Sequence, residues 1–218
     1  EIYVSVGNHT DKKQIVTSSG KKWGYNHLVL LVQNEIGYKN LMKLVSIGYL
    51  EGFYYRPRVD KNLLQKYNEG LICTSGCLAG EINQYAAKDD YENAKKAALE
   101  YAEIFPDRFY IEIQNHQIPE ERASHSILKR LSTDLNIPLV ATNDCHYIHQ
   151  ADAPYQDILI CIHTNTNIHD GKRLKMSDDS YYLKTHEEME YLFHDLPDAI
   201  AATQRIADMC DLNLDFSE

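Results

Sequence analysis

The chain has 218 residues, enough for one large domain or two small ones, with 44% hydrophobic and 25% charged residues, the balance of an ordinary globular protein. Its formal net charge of −10 repels a phosphate backbone, which excludes tight nucleic-acid binding by this piece alone. No apolar run approaches the ~18 residues needed to cross a bilayer and no export signal is visible. The five scattered cysteines argue against a disulfide framework and for a reducing, cytoplasmic setting.

Glu1 to Val6 is a strand pattern, with Ile2, Val4 and Val6 alternating with polar or amphipathic neighbours. A strand at the first residue, without an initiator Met, reads as a piece cut from something longer. The polar span 7–24, containing Ser18-Ser19-Gly20-Lys21-Lys22, predicts a hairpin loop or excursion. His27 to Val32 is a continuous apolar run and predicts a buried strand. Asn34 to Gly37 turns the chain, and Tyr38 to Leu50 has helical spacing. Gly52 to Asp60 predicts a loop and Lys61 to Tyr67 a short helix. Gly70 to Ser75 predicts a strand broken at Gly76, with Cys77 to Ala87 restarting as a helix.

Asp90 to Phe105, rich in Ala, Lys and Glu, predicts an amphipathic helix ended by Pro106. Phe109 to Ile113 predicts a strand, Pro119 to Leu135 a helix with Pro near its first turn, and Ile137 to Ala141 another buried strand. Ala151 to His163 predicts a helix and Thr164 to Ser180 a polar loop. Thr185-x-x-Glu188 is a capping box, and with a last helix over Pro197 to Cys210 the span 185–218 closes the chain. Near-continuous apolar strands alternating with helices predict a parallel sheet covered by helices, open or closed into a barrel. In both, sites collect at the carboxyl ends of the strands. No Gly-rich loop follows a strand, which argues against a dinucleotide or Walker-type site.

Asp144 and His146 follow the strand ending at Ala141. At i and i+2 their side chains point the same way, so a carboxylate and an imidazole converge, a pair suited to Zn²⁺, Mn²⁺ or Fe²⁺. An N-cap Asp followed by a surface His is the alternative. Cys77 follows the third strand, His116 the fourth, Glu1 opens the first and His27 the second. Drawn from successive strands, these residues would form a metal centre whose ligands lie far apart in sequence. Read separately, Cys77 is a small buried residue at a helix start, His27 a hydrogen-bonded structural histidine and His116 a solvated turn residue. His9, His125, His149, His163, His169, His186 and His194 show no partner pattern and are assigned to the surface. No nucleophile elbow supports a Ser–His–Asp triad, and Cys73 with Cys77 lacks the second pair of a zinc knuckle.

Five stretches carry a family resemblance: Asn26-His27-Leu28-Val29-Leu30-Leu31, Gly37-Tyr38-Lys39-Asn40-Leu41, Gly52-Phe53-Tyr54-Tyr55-Arg56-Pro57-Arg58, Ser75-Gly76-Cys77-Leu78-Ala79-Gly80-Glu81 and Ala141-Thr142-Asn143-Asp144-Cys145-His146-Tyr147. In order and spacing, essentially from Glu1 to the end, they resemble the amino-terminal PHP (polymerase and histidinol phosphatase) domain of bacterial replicative DNA polymerase III alpha subunits.

The resemblance implies an α/β fold, a PHP-type distorted (β/α)7 barrel, incomplete at the amino end and forming a single domain over 1–218. It implies a multi-ion site for Zn²⁺ or Mn²⁺, with Glu1, His27, Cys77, Asp144 and His146 at ligand positions. His116 would stand behind the ligands or touch a phosphate. His27 fits least well, because the strand reading puts it at the amino end of its run. The family's first His-x-His pair, the Asp after it and the His of its second motif would lie before Glu1. The polymerase palm, with its Mg²⁺, would lie beyond the chain.

For the family, the implied activity is 3′–5′ proofreading by a metal-dependent phosphodiesterase. The alternatives are a non-catalytic scaffold that stabilises the polymerase and docks a proofreading subunit, and a free-standing PHP phosphoesterase. The implied partners are the remaining polymerase domains, the holoenzyme subunits and, through the full protein, primer-template DNA, with no membrane. The isolated piece is expected to polymerise nothing and to bind metal weakly or not at all, because several ligands are missing.

Overall fold

A computed structural model of the chain describes residues 1–12, 15–16 and 22–214. The first strand, β1 (Ile2–Ser5), is followed by a short antiparallel pair, β2 (Ile15–Val16) and β3 (Lys22–Trp23), in the span expected to form a hairpin. The expected tip around Ser18 to Lys21 lies outside the described residues, as do positions 215–218 of the closing segment. Next come β4 (Tyr25–Val32) and α1 (Glu35–Leu50). The helix starts earlier than its apolar spacing suggested because the Asn34 side chain accepts a hydrogen bond from the Gly37 N–H at 3.1 Å and caps it.

The expected loop over Gly52 to Asp60 contains a short strand, β5 (Arg58–Val59), recruited by pairing with β1. Asp60 then caps α2 (Lys61–Lys66), which leads to β6 (Leu71–Thr74). The helix expected from Cys77 is shorter. Residues 77–80 form a turn, and α3 covers only Glu81–Ala86. Then follow α4 (Tyr91–Ile104), β7 (Phe109–Ile113), α5 (Pro119–Leu135) and β8 (Leu139–Ala141). The chain continues through α6 (Ala153–Thr164), α7 (His186–Leu192) behind its Thr185/Glu188 capping box, and α8 (Pro197–Asp208). Among the described residues no helix is long and apolar enough to cross a membrane.

Six strands form one sheet in the order β5-β1-β4-β6-β7-β8, and its described residues leave it open at β5 and β8. The sheet is mixed rather than wholly parallel. β4 runs antiparallel to both β1 and β6, whereas β6, β7 and β8 are parallel. Apolar runs cannot distinguish these cases, because a central strand buried on both faces is apolar whichever way it points. The direction of β4 matters for the site. Val29 pairs with Thr74 at the carboxyl end of β6, so His27, two residues earlier, sits just past that end. Ile2 pairs with Leu28, so β1 begins at the level where β6 stops, a stagger of the kind found in barrels.

Helices cover both faces. On one, α4 contributes Ala94, Ala97, Ala98, Tyr101 and Ile104 at helical spacing to the main core, together with Ile127, Leu128 and Leu131 of α5. On the other, Ile72, Tyr110 and Val140 form a row across the three parallel strands, packed against Ala202 and Ile206 of α8. By contrast α6 buries only Cys161 and leaves Tyr155, Ile158, Leu159 and Ile162 exposed on one stripe.

α1 and the segment leading into β6 approach closely, backbone to backbone. A Cβ on Gly37 would lie 1.8 Å from the carbonyl oxygen of Gly70, which itself has φ +69°. Gly37→Ala is therefore expected to cost about 3 kcal/mol or more, read as a lower urea midpoint at unchanged slope. A loss under 1 kcal/mol would contradict this packing.

Candidate metal centre

Tyr3 and His27, in β1 and β4, lie on one face of the sheet, whereas Cys77 reaches the same region from the turn after β6. Tyr3 pairs with His27, and His27 and Leu31 share the face that carries Ile72, Tyr110 and Val140. At the carboxyl ends of the parallel strands that face turns polar.

Glu1, His27 and Cys77 converge. His27 Nδ1 lies 3.0 Å from Glu1 Oε2 and 3.8 Å from Cys77 Sγ, and one donor atom from each residue fits within a span of 4.8 Å. The Cys77 turn is fastened to β4 by backbone, since the His27 N–H donates to the Ala79 carbonyl at 3.0 Å. Gly76 can pack against the His27 carbonyl because it adopts φ +76°, where a Cβ would stand 3.0 Å from that oxygen. Tyr25 stacks on the His27 ring at 6.1 Å, and Tyr3 meets it edge-on at 5.3 Å.

Asp144 and His146 form a second pair, with Oδ2 and Nε2 3.5 Å apart. The hydrogen bond with His146 holds the Asp144 carboxyl below the usual range, helped by attraction to His146, His116 and His27 and opposed by burial. The same bond raises His146. Glu1 is lowered chiefly by its hydrogen bond to His27, while the Asp144 charge pushes it the other way. Burial, followed by the charges of Asp144, Glu1 and Glu112, pushes the Cys77 thiol up to about 12 against a hydrogen bond with the Ala79 backbone. Glu1, Cys77, Asp144 and His146 therefore feel one another's charge across one region, although only the first two share the close cluster with His27.

His116 is not solvated; it is 1% exposed. Its Nδ1 lies 2.7 Å from Glu121 Oε1, its ring stacks on Tyr181 at 4.1 Å, and its Nε2 is buried with no hydrogen-bond partner. Tyr181 also meets His146 edge-on at 5.9 Å, and its carbonyl accepts the His146 N–H at 2.8 Å. Tyr181 and Glu121 were not singled out from the sequence. Glu121, in the first turn of α5 five residues after His116, had a local signal, whereas Tyr181, just past the polar loop ending at Ser180, had none. His9 also departs from its surface assignment, since its Nδ1 lies 2.6 Å from Asp60 Oδ2 and its side chain is 12% exposed.

The donor set fits a divalent ion. Ligand atoms around a tetrahedral ion with bonds of ~2.1–2.3 Å stand about 3.4–3.8 Å apart; His27 and Cys77 stand at that spacing, 3.8 Å, whereas His27 and Glu1 at 3.0 Å are in hydrogen-bond contact and would part by a few tenths of an ångström to admit an ion. One carboxylate, one imidazole and, once deprotonated, one thiolate would leave a fourth position open on such an ion.

Compared with known families, residues 1–116, just over half of the chain, match the PHP domain. The chain belongs to the PHP domain family. This PHP chain is 49% identical over 185 residues to a protein of Borreliella burgdorferi named DNA polymerase III subunit alpha, covering 85% of the chain and 16% of the relative. Proteins of the same name from Treponema pallidum and Thermus aquaticus are 42% and 39% identical over 98% and 100% of the chain, and 18% of each relative is covered. The PHP chain thus spans less than a fifth of the length of these relatives, and it is homologous to a portion of DNA polymerase III alpha subunits.

Proposed function

We infer that this chain is the PHP domain of a replicative DNA polymerase III alpha subunit in the cytoplasm, and that it carries the divalent-metal site of a 3′–5′ proofreading phosphodiesterase. The convergence of Glu1, His27 and Cys77 carries this reading. Those three residues would hold one ion, and Asp144 with His146 would serve a neighbouring position. The thiolate favours Zn²⁺ over Mn²⁺ at the first position. When bound, such ions lower the pKa of a coordinated water and offset phosphate charge.

The chain's own groups supply the frame. Glu1 and Asp144, both held below the usual carboxylate range, provide negative charge at neutral pH. Tyr181 braces His146, and Glu121 fixes the His116 ring, leaving its unpartnered Nε2 for a phosphate oxygen or a ligand behind the ions. The substrate is a 3′-terminal phosphodiester whose P–O3′ bond breaks as water adds to phosphorus and the 3′ oxygen leaves with a proton. With a net charge of −10, this domain relies on the rest of the subunit to deliver DNA. Polymerisation with Mg²⁺ is assigned to a palm outside these 218 residues, and the isolated chain is expected to be inactive.

The test is cleavage of a 3′-mismatched primer by the full-length subunit with Mn²⁺. Asp144→Asn is expected to lower cleavage at least ~100-fold while leaving primer extension intact. Equal cleavage by both forms would sink the reading. The exposed stripe of Tyr155, Ile158, Leu159 and Ile162 favours a second reading, a scaffold on which other parts of the polymerase or holoenzyme subunits rest. Absence of cleavage in both forms, with a lower melting temperature in Asp144→Asn, would favour it.

A further inference from the structure

One pleat step beyond the apolar row of Ile72, Tyr110 and Val140, the same face presents Thr74, Glu112 and Thr142. Glu112 is 5% exposed at the centre of this row, and it is neither a candidate ligand nor part of an ion pair among the described residues. One carboxylate oxygen accepts from the Thr74 hydroxyl and, at 3.1 Å, from the Gly76 N–H. The other accepts from the Thr142 hydroxyl at 2.5 Å and from the Gln114 amide at 3.0 Å. Its own N–H donates to the Ser75 hydroxyl at 2.9 Å. Four donors face the carboxylate, so it serves as an acceptor only.

These partners are not scattered. Gly76 immediately precedes Cys77 and packs on the His27 carbonyl, Thr142 lies two residues before Asp144, and Gln114 two before His116. We propose that Glu112 is the positioning residue of the metal centre, joining the ends of β6, β7 and β8 so that Cys77, His116 and Asp144 are set at fixed separations before any ion arrives. The inference rests on the metal-centre reading for its purpose, but the geometry it claims can be tested without metal. A carboxylate that fixes ligand-bearing loops is the kind of outer support whose loss costs 10–100-fold in metal affinity.

The same contacts predict how substitutions differ. Glu112→Ala removes both arms of the joint. Glu112→Gln keeps one acceptor, which stays on Gly76, because Thr142 and Gln114 can each turn to accept from the new amide, whereas a backbone N–H cannot.

The experiment is peptide-resolved alkylation of the metal-free chain, comparing Cys77 with Cys73, which is fully buried in β6 and exposed only by general unfolding. Glu112→Ala is expected to raise the Cys77/Cys73 rate ratio about tenfold, with Glu112→Gln restoring it to within about threefold of the unmodified chain. If the alanine form does not fold, Glu112→Asp, too short by one methylene to reach both arms, shows the same rise. A ratio unchanged within twofold, or Cys73 and Cys77 rising together, overturns the proposal. Adding Zn²⁺ to the unmodified chain separates the two readings. Failure of Zn²⁺ to slow Cys77 alkylation counts against the metal centre, whereas an unchanged ratio counts against Glu112.

Discussion

Zn²⁺ binding to this chain is expected to strengthen at least about a hundredfold between pH 6 and pH 8. The Cys77 thiol, pushed up to about 12, carries its proton throughout that range in the metal-free form. A zinc ligand must be the thiolate, so binding releases this proton, and each pH unit gained adds at least a factor of ten, about 1.4 kcal/mol, to which any proton displaced from the imidazole ligand adds. The sign is fixed: a higher pH always favours the bound form until the free thiol itself ionises. Glu1 and Asp144, whose carboxyls lie below the usual range, are already charged and add nothing to the slope. With three donors from the close cluster, affinity near pH 7 should be only ~10–100 µM, roughly −5.5 to −7 kcal/mol. Calorimetric titration at three pH values checks the slope. A flat profile would remove Cys77 from the ligand set, and Cys77→Ser should flatten it if the assignment holds.

The largest stability loss is expected at Arg58 rather than at any ligand. Arg58 is 1% exposed, and its side chain bonds backbone carbonyls, those of Gly52 at 3.1 Å and of His9 and Asp11 at 2.9 Å each. It also lies over the Tyr54 ring at 5.2 Å. These bonds fasten the segment after β1 to the turn after α1. Arg58→Ala strands three carbonyls beside a void the size of the side chain. The expected cost is about 4 kcal/mol, or roughly 8–16 °C in Tm for a chain of this length. Arg58→Lys should recover less than half, since an ammonium cannot reproduce the planar fork. Calorimetry decides, and a loss below 1 kcal/mol would mean that water replaces the guanidinium freely.

Elements whose limits are set by local chemistry could be read from the chain. The helix over Pro119–Leu135 and the strand Phe109–Ile113 appear with the expected limits, and the helix expected over Asp90 to Phe105 has those two residues as its caps. Thr185 and Glu188 form the expected capping box. Features decided by distant partners were not legible. β5 exists because β1 recruits it, and the orientation of β4 is fixed by pairing with β1 and β6. That orientation removes the difficulty over His27, since the amino end of an antiparallel strand lies beside the carboxyl ends of its neighbours. Cys77 was expected on a helix and is found on a turn, where Glu112 holds Gly76 and the His27 backbone holds Ala79. Periodicity contains neither fact. Glu112 is the one charged residue of the strand Phe109–Ile113, and only the facing residues of β6 and β8 reveal what it holds.

The reversed direction of β4 also separates strand pairing that is near in sequence from pairing that is distant. Glu1 and His27 belong to a ladder closed by pairing near in sequence, Ile2 with Leu28 through Ser5 with Tyr25. Cys77, Asp144 and His146 belong to the crossover-linked half, whose strands meet only after whole helices have been laid between them. The β4–β6 ladder is the seam joining these halves, and the donor cluster straddles it. A cation gripping both sides acts as a clasp, so the free energy with which it is held is also free energy by which the two halves resist parting.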